Sequence, residues 1–140
     1  MNFIPYETFE HGADIGVRGY GRTLEEAFAN GAKALFSLIV ENFEEITPER
    51  DIPVEAEAEL LDELFVLWLN RLLTLADLEG MVFREFRVKI SGNRLEARAL
   101  GEGLDPDKHR LGVEVKGATF TLARVTREGE FWVAQCVVDV

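Results

Sequence analysis

Apolar and polar positions alternate along this chain with two different periods, and the longer period predicts two helices. The segment Thr23–Glu26 fits a capping box, in which a threonine oxygen and a glutamate side chain satisfy free N–H groups at a helix start. Apolar residues then recur every three or four positions and predict a first helix along one face: Leu24, Ala27, Phe28, Gly31, Leu35, Leu38 and Ile39. The same spacing from about Leu60 to Leu75 predicts a second, more apolar helix, with Trp68 in the core and Gly80 as its stop.

The shorter period, in which every second residue is apolar, predicts strands around both helices. The strand after the first helix contains Pro53, which favours the edge of a sheet. A long strand is expected to begin near Leu111, with a bulge or bend at Gly117 where the inward parity changes. The other predicted strands form an opening hairpin (6–9 and 15–20), a central hairpin (83–90 and 95–101) and the end of the chain (131–140). No run of βαβ units occurs, so the predicted class is α+β, two main helices packed on antiparallel β-sheet, as one domain over residues 1–140.

The balance of charge changes which partners are plausible. The chain has 15 basic and 26 acidic residues and a net charge of -11. Such a field repels phosphate backbones, so direct tight binding of nucleic acid is not expected, whereas basic protein surfaces and metal cations are favoured. No apolar run reaches the roughly 20 residues that cross a bilayer, so no membrane association is expected. The single cysteine, Cys136, lies in an apolar run, which indicates a buried thiol and a reducing, cytoplasmic setting.

Two aspartates are candidate metal ligands. Asp14 lies in the turn of the opening hairpin, where an aspartate usually only caps its own backbone. Asp139 follows an apolar strand, where a carboxylate is costly unless it is paired or bound to a cation, although the last residues can also simply reach water. If Asp14 approaches Asp139, the carboxylate of Val140 adds a third oxygen group. Such hard oxygen ligands suit Ca²⁺ or Mg²⁺, and the lack of Cys and His clusters argues against zinc.

Three further features allow a functional and a structural interpretation. His11 and His109 are the only histidines, but neither lies beside a recognisable nucleophile motif, which favours structural or solvated roles. Lys116 either reaches a site from the predicted bulge or lies on a solvated strand face. The acidic stripe Glu55, Glu57, Glu59, Asp62 and Glu63 is either a docking face for a basic partner or a solvated surface.

Six ordered blocks of this sequence resemble the archease family over nearly its whole length. They are Tyr6-Glu7 with His11-x-Ala13-Asp14-Ile15-Gly16, then Gly21-x-Thr23-Leu24-Glu25-Glu26-Ala27-Phe28, Leu60-Leu61-x-x-Leu64-Phe65-x-x-Trp68-Leu69-Asn70, Gly101-Glu102, Lys108-His109 to Glu114-Val115-Lys116-Gly117-Ala118-Thr119, and Val138-Asp139-Val140. The chain departs from the family pattern at Gly12, usually threonine, and at Gly117, usually alanine. Neither change removes a ligand.

The resemblance implies an archease-like fold and a helper protein without a catalytic residue of its own. Archeases assist the RtcB-type RNA ligase in tRNA splicing, promoting its guanylylation and its multiple turnover. The family binds a divalent cation, typically calcium, through positions that correspond here to Asp14, Asp139 and Val140. Magnesium and manganese are the alternatives, and His11 and Lys116 are expected as functional neighbours.

Two other functions remain open at this point. One is a chaperone or modulator of another RNA-modifying enzyme, such as a tRNA methyltransferase, which the same acidic surface would serve. The other is a stand-alone metal-dependent hydrolase that holds an ion with its aspartates and uses His11 as a base. Affinity capture of partners tests the first, and turnover of small phosphoesters by the protein alone tests the second.

Overall fold

The computed structural model describes residues 3–140, which form two helices and eight strands. The elements are β1 (Tyr6–His11), β2 (Asp14–Gly21), α1 (Leu24–Ile39), β3 (Arg50–Glu57), α2 (Leu61–Glu79), β4 (Met81–Ser91), β5 (Arg94–Gly103), β6 (Gly117–Ala118), β7 (Arg124–Glu128) and β8 (Phe131–Asp139), with a short 3-10 helix at Phe43–Glu45. The α+β class predicted from the sequence is confirmed.

The strands form two antiparallel sheets. In the large sheet β2 lies between β1 and β8, and both β6 and β7 pair with the other edge of β8. In the small sheet β5 lies between β3 and β4. The strand that contains Pro53 is therefore an edge strand, as predicted, and the ends of β2 and β8 meet in the middle of the large sheet.

Each helix packs against both sheets. Helix α1 contacts β2 and β4, while α2 contacts β3 and β6. The backbones of β2 and α1 approach so closely at Gly19 that a Cβ there would lie 2.1 Å from the backbone nitrogen of Gly31. Trp68 is fully buried and its indole N–H donates to the carbonyl oxygen of Phe28 at 2.9 Å. The predicted core role of Trp68 is confirmed.

The helix ends follow the capping residues of the sequence. The Thr23 hydroxyl accepts the N–H of Glu26 at 3.1 Å and begins α1. Helix α2 runs to Glu79, four residues beyond the predicted Leu75, because the chain first takes a left-handed conformation at Gly80, where φ is +60°. The predicted stop residue is correct and the predicted last residue is wrong.

The prediction of a long strand that begins near Leu111 is wrong. Leu111 makes a single bridge to Val40, and residues 112–116 are irregular before the two-residue strand β6. The N–H groups of Gly112 and Val113 donate at 2.8 Å to carbonyl oxygens at the end of α1. This segment therefore bonds to the end of a helix and has no neighbouring strand to pair with. The bend predicted at Gly117 lies instead at Leu122, where φ is +54°.

The buried cysteine that the sequence predicts is confirmed. Cys136 is fully buried in β8, and burial raises the pKa of its thiol to about 12. The thiol is therefore protonated and unreactive near neutral pH. Within residues 3–140, neither helix is long and apolar enough to cross a bilayer.

Candidate functional site: the corner where the last strand meets the first hairpin

The structure brings the three predicted ligand residues to one corner of the large sheet. Ile15 of β2 pairs with Val138 of β8, so the next facing positions in this ladder are Asp14 and Asp139. The N–H of Val140 donates to Oδ1 of Asp14 at 3.3 Å, across a sequence separation of 126 residues. The end of β8 is therefore attached directly to the first hairpin.

Asp14 is held by its hairpin but does not cap it. The turn between β1 and β2 contains Gly12, whose φ of +61° suits a residue without a side chain. The carboxylate of Asp14 accepts from Val140 and from no N–H of its own turn among the described residues. The interpretation of Asp14 as a local backbone cap is therefore wrong.

The two aspartates form a pair of like charges. Residues at facing positions of an antiparallel ladder point to the same side of the sheet, and like charges placed there destabilise the pair. Asp14 is half-buried and Asp139 is exposed, and neither forms an ion pair within residues 3–140. A cation between them would remove this repulsion and would use the free Oδ2 of Asp14.

Asp139 is exposed although it ends a buried strand. The residues before Asp139, Val133 to Val138, are all buried as the pattern predicts, but the carboxylate itself reaches solvent. Burial therefore imposes no cost on Asp139. The convergence of the acidic groups, and not their desolvation, is what favours a cation here.

A short strand supported by α2 lies on the other side of Asp139. Gly117 pairs with Asp139, and the N–H of Lys116 donates to the Asp139 carbonyl oxygen at 2.7 Å. Asn70 of α2 fixes this strand in the manner of a neighbouring backbone, since its amide donates to the Ala118 carbonyl at 3.1 Å and accepts the Ala118 N–H at 2.9 Å. The exposed side chain of Lys116 is thus attached to the corner through its backbone.

Sequence reasoning gave Asn70 no role beyond family resemblance. A signal was present, because Asn70 is a polar amide in a helix that otherwise directs apolar residues towards the core. Such a residue is tolerated in a half-buried position only when its amide finds partners. The partner, Ala118, lies 48 residues away and could not be named from the pattern.

A second polar cluster joins β5 to the loop 104–110. The carboxylate of Glu102 accepts the Thr47 N–H at 2.8 Å and contacts Nε2 of His109 at 2.9 Å and the Lys108 ammonium at 2.8 Å. Nδ1 of His109 accepts the N–H of Asp105 at 2.9 Å, which places the ring proton on Nε2 and directs it to Glu102. The side chain of His109 is fully buried.

This second cluster is structural. Burial raises the pKa of Glu102, but hydrogen bonds from Lys108, Thr47 and His109 outweigh that effect and lower its pKa to about 2. The donors Thr47, His109 and Asp105 all bond within the cluster, and the Lys108 ammonium, which is 37% exposed, also reaches water. The structural role expected for His109 is confirmed, whereas Glu102 was missed, although a glutamate between two glycines at the end of an apolar strand was a signal.

The remaining predicted residues are solvent-exposed, apart from Asp62 and Glu63, which are half-buried. His11 ends β1 opposite Asp14 in the ladder, and its exposed side chain makes no hydrogen bond among residues 3–140. In the acidic stripe, Glu55 pairs with Arg94 at 3.4 Å, and Asp62 accepts the N–H of Val125 at 2.7 Å. These contacts partly neutralise or occupy the stripe.

No set of three or more histidine, cysteine or acidic side chains in residues 3–140 is arranged to hold a metal ion. The corner described above has two acidic side chains, Asp14 and Asp139, and depends on the main-chain carboxylate of Val140 for a third group. Its donors are all oxygens, which fits a hard cation and not zinc. A cation at this corner therefore stays a prediction.

The fold and this corner define a class of small α+β proteins in which the last strand closes against the first hairpin. The model of the Archease protein family (MTH1598/TM1083) matches residues 6–140. The chain belongs to the archease family.

Similar proteins support this assignment along the whole chain. The archease of Pyrococcus abyssi is 45% identical, with 96% of this chain and 98% of that protein covered. The archease of Methanopyrus kandleri is 38% identical, with 98% and 100% covered. Among solved structures, protein 1598 of Methanobacterium thermoautotrophicum superimposes with a TM-score of 0.85 at 31% identity, covering 97% of this chain and 99% of that one. A Thermotoga maritima archease described as a possible chaperone gives a TM-score of 0.63 at 22% identity, with 94% of each chain covered, and supports the fold.

Proposed function

We propose that this protein is a non-catalytic activator of the RtcB-type tRNA-splicing ligase, and that it acts with a divalent cation bound at Asp14, Asp139 and Val140. The ligase partner is what the resemblance to archeases implies, and membership in that family supports it. The observation that carries the cation is the meeting of β2 and β8, which places two aspartates at facing positions with no counter-ion among residues 3–140.

Oxygen ligands alone would hold the cation. Asp14 has one carboxylate oxygen that accepts from Val140 and a second that is free, while the carboxylate of Asp139 is exposed. Calcium suits such a flexible, partly open set best, with magnesium and manganese as alternatives. A bound cation would supply positive charge at a solvent-facing corner, where it can interact with phosphate oxygens. The protein's own residues fix the corner: Asp14 through Val140, and Asp139 through the Lys116 N–H.

Several features favour a protein partner over a substrate. The Glu102–His109 cluster is fully paired within the protein, and neither histidine lies in a nucleophile motif. The net charge of -11 favours association with a basic protein surface. The description of the Thermotoga maritima relative as a possible chaperone agrees with such a role.

A reconstituted ligation reaction tests the proposal. Purified RtcB-type ligase, at a concentration well below that of its RNA substrate, is assayed with the wild-type protein, with Asp14→Asn, with Asp139→Asn and with the control Asp107→Asn. Asp107 is an exposed loop aspartate whose side chain makes no ion pair among residues 3–140. Each variant changes one carboxylate to an amide of the same size, so differences report on position and not on net charge.

We expect the wild-type protein and Asp107→Asn to raise both guanylylation and the number of turnovers. Asp14→Asn and Asp139→Asn should fold normally and lose most of that stimulation. Multiple-turnover ligation that is the same with and without the wild-type protein would contradict the activator role. Full stimulation by Asp139→Asn would contradict the role of the cation.

A further inference from the structure

The irregular segment 111–116 and the second half of α2 border an apolar cavity of about 570 Å³. This volume is within the range of ligand and peptide pockets in proteins. Two of its lining residues, Leu104 and Leu111, are 41% and 58% exposed. We call this cavity the α2 groove. Its apolar lining includes Leu73, Ala76, Leu104, Leu111, Val113 and Val115.

The rim of the α2 groove is acidic. Asp77 and Glu114 line the groove and are exposed, and neither forms an ion pair within residues 3–140. The last turn of α2 contains no basic residue, so the negative end of the helix dipole also faces the rim uncompensated. Lys116 is the only basic residue in the lining. This combination selects a segment with apolar side chains next to lysine or arginine.

The backbone of the segment can also take part in binding. The N–H groups of Glu114 and Val115 donate to no acceptor within residues 3–140. Both residues line the groove, so an N–H of this pair that faces the groove would add a directional hydrogen bond to a bound peptide segment.

The groove is continuous with the candidate site. Lys116 lines the groove, and its N–H is bonded to the Asp139 carbonyl at 2.7 Å. Asn70 lines the groove as well and fixes Ala118 beside Asp139. A segment seated in the α2 groove is thereby brought next to the paired aspartates.

The acidic stripe on β3 is less suited to the same role. Glu55 and Asp51 already pair with Arg94 and Arg98 of the neighbouring strand, at 3.4 and 3.1 Å. These cations reduce the attraction for a basic partner. A cavity of about 460 Å³ does lie beside Glu55, but it is lined by three basic residues, Arg98 among them, which oppose a basic partner. The α2 groove instead combines apolar area with carboxylates that form no ion pair within residues 3–140.

We infer that the α2 groove is the docking site for a basic and apolar segment of the ligase, which seats the partner beside Asp14 and Asp139. This inference rests on the proposed function, because it identifies the surface through which that function is exerted.

Binding of the purified RtcB-type ligase to immobilised protein tests the inference with two matched pairs of variants. Leu111→Arg in the groove is compared with Leu60→Arg, which alters an equally exposed leucine at the other end of α2. Glu114→Lys on the rim is compared with Glu57→Lys on the exposed side of β3. Circular dichroism confirms that each variant is folded, and the exposed positions make the charge pair informative even if Leu111→Arg is unstable.

We expect Leu111→Arg and Glu114→Lys to weaken ligase binding at least tenfold and both controls to leave it within twofold. Groove variants that bind like wild type, or controls that weaken binding equally, would overturn the docking site. If the wild-type protein stimulates ligation while the groove variants still bind, only the docking inference fails. If the wild-type protein neither binds nor stimulates the ligase, the proposed function fails with it.

Discussion

Replacement of Glu102 by alanine should destabilise the protein far more than removal of an exposed glutamate from the same strand. Glu102 is buried, and its loss leaves the Thr47 N–H and the His109 Nε2–H without acceptors. A buried donor left unpaired costs about 1–3 kcal/mol, so the two donors together cost about 2–6 kcal/mol. Lys108 is 37% exposed and regains water, so it adds little. The expected loss in free energy of unfolding is therefore about 2–6 kcal/mol.

Urea unfolding of Glu102→Ala beside Glu96→Ala measures this difference. Glu96 lies on β5 too, but its pair with Arg94 is exposed and should contribute less than about 1 kcal/mol. A protein of this size shifts in Tm by about 3 °C per kcal/mol, so Glu102→Ala should melt about 6 °C lower or more. A loss of 1 kcal/mol or less, equal to that of Glu96→Ala, would refute the view that this cluster holds the loop 104–110.

The pH dependence of the stability provides a second, independent test of the role of Glu102. The pKa of Glu102 is lowered from its ordinary value of 4.5 to about 2, so its stabilising contribution is complete above pH 4.5 and is lost as the pH falls towards 2. The difference in stability between wild type and Glu102→Ala should therefore shrink over that interval. A difference that stays constant from pH 6 to pH 2 would show that ionised Glu102 is not the source of the stability.

The remaining predictions concern the corner and its support. Gly12→Thr should lower the free energy of unfolding by about 1–3 kcal/mol, because a β-branched residue is strained at φ of +61°. Gly117→Ala should leave it unchanged, since the added Cβ would meet only Asn70 Oδ1 at 3.5 Å. Chemical unfolding of both variants checks this contrast. Asn70→Ala should lose about 1–3 kcal/mol and reduce stimulation of the ligase, because two hydrogen bonds to Ala118 disappear; unfolding and ligation assays measure the two effects, and full stimulation would argue against a positioning role. Cys136 should react with a thiol reagent only after unfolding, as absorbance of the released chromophore would report; rapid labelling of the folded protein would contradict its burial.

Local periodicity predicted the helices and hairpins because each of these elements satisfies its pattern with neighbouring residues. Thr23 and Gly80 act where the sequence places them, and the facing positions of Asp14 and Asp139 follow from two strands that the alternation correctly predicted. The identity of β2 and β8 as neighbours, however, came only from the argument that the acidic groups need each other.

The segment after Leu111 misled the same reasoning for a physical reason. Its alternating valines resemble a strand, but they cover the end of α1 and the α2 groove, where no sheet is available to pair with them. The Glu102–His109 cluster and the support of Ala118 by Asn70 were missed because they join residues far apart in sequence. Hydrogen bonds of this kind leave no periodic signal.

Calorimetric titration of the metal-free protein with calcium tests most directly whether the corner of β2 and β8 holds a cation. We expect one site per chain in the wild-type protein, the loss of that site in Asp14→Asn and Asp139→Asn, and unchanged binding in Asp51→Asn, an exposed aspartate on β3. Absence of binding to the wild-type protein, tested with magnesium and manganese as well, or equal affinity in Asp139→Asn, would contradict the account.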